Sequence, residues 1–235
     1  MVTRVYLIRH AEAMGNINET FQGRTDENIT EKGHRQLTEL SERFKDTQLD
    51  VIYSSPLIRA KETAKAVNKY HGLNIIHDEK LIEINGGLWE GKKWADLPTL
   101  YPVEFNLWTY KMHEFYIENG ETMVEVSERM QKTIGEIVLQ NMGKSVAIVS
   151  HGCAIRTYLC YASGNTLDKL HDVGWSDNTS VSLIEYGADL TPNLVYKNNS
   201  DHLPYELSTL AFSDWCKSEN GEYSEAQKEC EDFIK

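Results

Sequence analysis

Apolar runs of strand length alternate with apolar positions at helical spacing through most of the chain. Val5 to Ile8 is an unbroken run with the length of a buried strand. Thr30 is a suitable cap for a helix reaching about Phe44, with Leu37, Leu40 and Phe44 on one face. Val51 to Tyr53 predicts a second strand, and Pro56 suits the first turn of a helix continuing to about Tyr70. Met123, Val126, Met130, Ile134 and Ile137 recur at helical spacing over residues 121–141. Val146 to Val149 is a third buried strand, followed by a helix from Cys153; Val181 to Tyr186 and Leu194 to Lys197 predict later strands. Strands alternating with helices in this way predict an α/β fold. Residues 93–116 break the alternation. They carry Trp94, Leu97, Tyr101, Phe105, Trp108, Phe115 and Tyr116, and read as a helical insertion over the sheet. From Asn198 the chain turns polar, with Phe212, Trp215 and Phe233 as aromatic anchors.

Composition narrows the functional classes. The 235 residues are 40% hydrophobic and 26% charged, enough to bury a core without disulfides. No apolar run has the length of a membrane span, and the first ten residues read as a strand rather than a signal peptide. A cytoplasmic protein with no membrane partner is expected. Cys153, Cys160, Cys216 and Cys230 form no C-x-x-C pair, and the eight histidines make neither H-x-x-x-H nor H-x-H, so neither a zinc ribbon nor a metal hydrolase is expected. The formal charge of -12 argues against a nucleic-acid partner, which needs a basic surface. It leaves room for a small phosphorylated substrate, provided a local cluster of arginines overrides the acidic background. The oligomeric state is not legible in the sequence.

The chain holds residues that could form such a cluster. Arg9-His10-Ala11-Glu12 follows the first strand, Ser54-Ser55-Pro56-Leu57-Ile58-Arg59-Ala60 the second, and Ser150-His151-Gly152 the third. Ligands of open α/β sheets bind beyond the carboxyl ends of the strands, so these segments can converge on one site. A neutral imidazole can attack phosphorus, and two guanidiniums can grip phosphate oxygens in fork geometry. A protonated His151 could donate to the same oxygens, and the helix after Pro56 could add N–H groups and a positive dipole end. Glu83 is the candidate acid for the leaving oxygen and, once ionised, the base for water.

The ordered motifs resemble the histidine phosphatase superfamily, also called the phosphoglycerate mutase-like family, and within it the phosphatase branch. The family's L-[IV]-R-H-G-E-T-x-x-N stands here as Leu7-Ile8-Arg9-His10-Ala11-Glu12-Ala13-Met14-Gly15-Asn16. Its Leu-Thr-x-x-Gly-x-x-Gln stands as Ile29 to Gln36, and S-S-P-L-x-R-A-x-E-T is complete from Ser54 to Thr63. The resemblance implies a three-layer α/β/α sandwich around a mostly parallel sheet, in one domain over residues 1–203 that includes the insertion. Residues 204–235 are then a tail packing on or extending it. His10 is implied as nucleophile, with Arg9, Arg59, His151 and Gly152 completing the phosphate pocket, and Glu83 as proton donor. Asn16 and the backbone at Gly23 are implied to touch the substrate, and no metal or organic cofactor is implied. The chain departs from the motif at Ala11 for glycine, which is tolerated if φ is negative, at Ala13 for threonine, and at Arg24, which puts a charge near the mouth.

Three functions fit these residues. The first is a metal-independent phosphatase of phosphate monoesters. The second is a cofactor-dependent phosphoglycerate mutase, which usually carries Glu-Arg-x-Tyr-Gly around the acid where this chain has Glu83-Ile84-Asn85-Gly86-Gly87. The third is a catalytically silent protein that binds phospholigands. Specificity is expected from residues 93–116 and the 12–28 loop.

Overall fold

The computed structural model describes residues 1–213; the expected anchors Trp215 and Phe233, with Cys216 and Cys230, lie outside the described residues. Six strands form one sheet: β1 (Thr3–Arg9), β2 (Val51–Ser54), β3 (Ile75–His77), β4 (Ser145–Ser150), β5 (Val181–Tyr186) and β6 (Pro192–Asn199), in the order β3-β2-β4-β1-β5-β6. The first four in that order run parallel; β5 and β6 are antiparallel to β1 and to each other. The sheet is thus mostly parallel, with an antiparallel flank.

The central strands carry apolar runs because both faces are covered. Val5, Leu7, Val146 and Ile148 pack on one side against α6 (Met123–Gln140) and α7 (Gly152–Ala162). Ile8, Ile52, Ala147 and Val149 pack on the other against α2 (Glu31–Phe44) and α3 (Ile58–Val67). This is the expected α/β/α sandwich. The ends of α2 and α6 match the sequence reading because their caps are local: Thr30 Oγ1 accepts from Gly33 N at 2.8 Å, and Thr122 and Glu125 form a reciprocal capping box.

The insertion folds as two short helices, α4 (Leu97–Leu100) and α5 (Pro102–Tyr110), between 3-10 turns. Its aromatics surround Trp89, which is wholly buried. Ring centroids of Phe115, Phe21, Trp108 and Trp94 lie 4.9, 5.5, 5.6 and 6.2 Å from that of Trp89.

Three local expectations change. β3 and the single-turn α1 (Met14–Ile17) are too short to leave a periodic signal. The helix after β2 begins at Ile58 and ends at Val67, not at Pro56 and Tyr70. Leu57 stays extended at φ -66, ψ 143, because Asp26 Oδ1 accepts from Ile58 N at 2.8 Å and so caps the helix from outside its own sequence. Residues 205–213 form two 3-10 turns laid against α2, where Gln36 Nε2 donates to Leu207 O at 2.7 Å.

Candidate active site

Register brings the three expected segments together. Arg9 pairs with Ser150 across β1 and β4, and Ser54 with Val149 across β2 and β4, so three adjacent parallel strands end side by side. His10 N then donates to Ser150 O at 3.1 Å, and Ser55 N to Val149 O at 3.0 Å. The first residue beyond each strand is therefore His10, Ser55 or His151.

His10 is 5% exposed. Its Nδ1 lies 2.7 Å from Ala11 O; a carbonyl can only accept, so the proton is on Nδ1 and Nε2 carries a lone pair. Burial holds the His10 pKa well below the ordinary value, and the Arg59 and Arg9 guanidiniums push it further the same way. The imidazole is neutral. Its ring centroid is 5.1 Å from that of His151. His151 Nε2 lies 2.7 Å from Ser55 Oγ, while its Nδ1 is buried with no partner among the described residues. Burial, then Arg59 and His10, depress the His151 pKa as well. Burial and the neighbouring guanidiniums thus disfavour the protonated form of His151. A dianionic phosphate would reverse that balance.

Arg59 has no exposed surface. Its Nη1 donates to Thr25 O and its Nη2 to Gly23 O, both at 2.7 Å, and its Nε is buried without a partner among the described residues. Arg9 Nη1 donates to Ser176 O. Both guanidiniums are anchored by carbonyls, which fix where their positive charge sits.

Glu83 is 5% exposed. Its Oε1 accepts from Ile84 N and Ala154 N at 2.8 and 3.0 Å, and its Oε2 from Cys153 N at 2.9 Å. Burial outweighs these donors and raises its pKa. A side chain at Gly152 would place its Cβ 3.6 Å from Glu83 Oε2, 3.6 Å from Trp175 Cζ3 and 3.7 Å from Arg9 Nε, so the three groups meet over a bare backbone. The second and third N–H groups of α7, at Cys153 and Ala154, therefore go to Glu83, and the first of α3 to Asp26. The expected open helix terminus at α3 is a correction: a carboxylate already occupies Ile58 N. The other nearby acids are spent. Glu12 accepts from Thr30 Oγ1, Glu90 from the backbone of Arg24, Thr25 and Gly86, and Glu121 from Arg129.

A model of the histidine phosphatase superfamily (branch 1) matches residues 5–199. The chain belongs to this superfamily. It is 32% identical over 183 residues to phosphoserine phosphatase 1 of Hydrogenobacter thermophilus, covering 78% of this chain and 86% of that protein. It is also 32% identical over 156 residues to a protein of Escherichia fergusonii named "Probable phosphoglycerate mutase GpmB", covering 65% and 71%. Among solved structures, YhfR of Bacillus stearothermophilus aligns with a TM-score of 0.82 and 32% identity over 85% of this chain and 98% of that one. The names of these relatives support phosphatase activity in general terms.

The superfamily motifs account for the remaining positions. Ala11 is buried and is not among the residues with positive φ, so its methyl is accommodated; its N–H donates to Thr63 Oγ1 at 2.9 Å. Ala13 leaves α1 without a side-chain cap, and Asn16 Oδ1 accepts from Ala13 N at 3.0 Å instead. Gly23 admits no Cβ, which would sit 2.3 Å from the backbone oxygen of Ile84. Arg24 pairs with Glu121 at 3.2 Å, so its charge is partly offset. Sequence reasoning missed several groups. Gln22 holds both amide atoms buried and without a partner among the described residues, between Phe21 and the Gly23 that anchors Arg59. Thr179, at φ 60, turns the chain so that its N–H reaches Arg9 O at 3.1 Å while Asn178 Nδ2 reaches His10 O at 2.8 Å. No motif marks Trp175 to Thr179, because their role comes from where the β5 approach folds back.

Proposed function

We propose that the chain is a phosphatase of small phosphate monoesters that works through a phosphohistidine on His10 and needs no metal. The observation that carries this reading is the His10 ring: Nδ1 is committed to Ala11 O, and Nε2 is neutral and electron-rich among Arg9, Arg59 and His151. Among the described residues no three His, Cys, Asp or Glu side chains gather to hold a metal ion. In this reading guanidiniums carry the charge stabilisation instead.

In the first step His10 Nε2 attacks phosphorus in line as the ester P–O bond breaks. Arg9, Arg59 and His151, with Gly152 leaving room beside them, hold the three equatorial oxygens. Glu83, whose raised pKa keeps a proton available, gives it to the leaving oxygen, and the alcohol departs. In the second step the Glu83 carboxylate takes a proton from water, the water oxygen attacks phosphorus, and the P–N electron pair returns to Nε2. The Asn16 and Gly23 segments border the substrate, and Trp175, stacked on Trp108, packs its alcohol part.

Rapid quench after mixing with labelled substrate tests this. Wild type is expected to hold label that is lost in acid and kept in base, as for an N–P bond; His10→Ala is expected to hold none and to turn over nothing. Label on His10→Ala refutes the assignment. The substrate panel should include phosphoserine and 3-phosphoglycerate, because relatives carry those names. Phosphoryl return to phosphoglycerate, rather than release of inorganic phosphate, would favour a mutase. Binding without turnover in wild type would favour a silent phospholigand-binding protein.

A further inference from the structure

The carbonyl that orients His10 is itself held in place. Ala11 C=O and Glu12 N–H belong to one planar peptide unit. Its oxygen accepts from His10 Nδ1 at 2.7 Å, and its N–H donates to Gln36 Oε1 at 2.8 Å. Gln36 stands on α2 with no exposed surface. Only one of the two amide orientations offers oxygen to Glu12 N–H; the flipped one would set donor against donor. The opposite end of the amide decides between them. Gln36 Nε2 donates to Leu207 O at 2.7 Å and to Thr209 Oγ1 at 3.1 Å.

Both acceptors lie beyond the residues 5–199 that the superfamily model matches. Thr209 Oγ1 uses its own proton on Glu12 Oε2 at 3.1 Å, so one hydroxyl fixes both Gln36 and Glu12. The segment is clamped in turn. Thr209 N donates to Asp177 Oδ1 at 2.8 Å, and Lys32 Nζ to Ser208 O at 2.7 Å while lying 3.5 Å from Glu12 Oε2. Asp177 adjoins Asn178, which grips His10 O.

We infer that Gln36 and the segment 205–213, acting through Thr209, form a positioning device for His10: they set the Ala11–Glu12 peptide and thereby the direction and tautomer of the imidazole. The inference rests on His10 being the nucleophile. Thr209 and Gln36 are positioning residues that do not touch substrate. Releasing them leaves Arg9 and Arg59 anchored on Ser176, Thr25 and Gly23, so the substrate grip survives while the attacking ring loosens.

The test uses the full-length chain with Thr209→Val, Thr209→Ser and Gln36→Met, and His10→Ala as control. Phosphoenzyme formation from p-nitrophenyl phosphate, KM, and the ¹⁵N shifts of the His10 ring are measured well below each variant's melting temperature. Thr209→Val is expected to slow phosphorylation about 5-fold, as for one lost hydrogen bond, with KM within about 2-fold. Thr209→Ser, which keeps the hydroxyl, is expected to match wild type. Gln36→Met is expected to lose more, about 10-fold, and to show mixed ring tautomers where wild type shows protonated Nδ1. Wild-type phosphorylation in Thr209→Val, equal losses in Thr209→Val and Thr209→Ser, or a single Nδ1–H tautomer retained in Gln36→Met overturns the inference; if Thr209→Val does not fold, the Gln36→Met ring spectrum decides. Turnover by His10→Ala overturns the nucleophile reading itself, which is a different result from a silent Thr209→Val beside an inactive His10→Ala.

Discussion

Replacing Glu83 by Gln separates the two roles proposed for it. The substitution keeps an oxygen for the two backbone donors at Ile84 and Ala154, and sets an amide NH₂ against Cys153 N. One buried donor left unsatisfied costs about 1–3 kcal/mol, well inside the stability of a domain of this size, about 5–15 kcal/mol. The fold therefore survives and the kinetics can be read. With an alkyl phosphate the leaving alkoxide is poor, and loss of the general acid is expected to slow phosphoryl transfer about 10²- to 10⁴-fold, which at 1.36 kcal/mol per decade is about 3–5 kcal/mol of barrier. With p-nitrophenyl phosphate the phenolate leaves unaided, and the same step is expected to slow less than about 10-fold. Dephosphorylation still needs the base. The variant is thus expected to give a burst of p-nitrophenol, then slow turnover with phosphoenzyme accumulating. pH adds a second signature. Burial raises the Glu83 pKa, so kcat/KM for the alkyl ester should fall as pH rises through that value, where the acid loses its proton, and this limb should be absent from Glu83→Gln. Single-turnover rates that fall equally for both leaving groups, without a burst, would show that Glu83 is not the acid.

Two further outcomes follow from buried cations and buried neutral imidazoles. Arg59→Lys is expected to lose about 10²-fold or more in kcat/KM, because an ammonium cannot reach the carbonyls of Gly23 and Thr25 and face phosphate together; kinetics within a few-fold of wild type would place Arg59 outside the pocket. His202 bonds Arg43 and Thr179, and burial beside Arg43 pushes its pKa down to about 3. The unfolded chain takes up that proton near 6.5 and the fold does not, so stability is lost as pH falls from about 6.5 toward 3, by up to about 1.4 kcal/mol per pH unit. His202→Gln is expected to flatten that decline in urea unfolding, and an unchanged pH slope would refute it.

The local chemistry of the chain was enough to find much of this protein. Strands buried on both faces announce themselves as unbroken apolar runs, and Thr30 and Thr122 cap helices through partners three residues away, so β1, β4, α2 and α6 were readable in place. The ordered Arg-His, Ser-Ser-Pro and Ser-His-Gly segments pointed to one site because a parallel sheet sends each strand's carboxyl end to the same edge. Tertiary structure decided whatever depends on a partner distant in sequence. Asp26, thirty-two residues before Ile58, moved the start of α3 past Pro56 and closed a helix terminus expected to be open. The depressed pKa of His151 comes first from burial and then from Arg59 and His10, surroundings that it meets only after folding. Gln36 reads as a motif residue with no assigned partner, and Thr209 as a residue of a polar tail. Only the fold closes 173 residues of chain into a 3.1 Å hydrogen bond between them. Sequence periodicity records which face of an element is buried; it carries no record of which buried polar atom will meet another, because that is set by packing across the whole sheet.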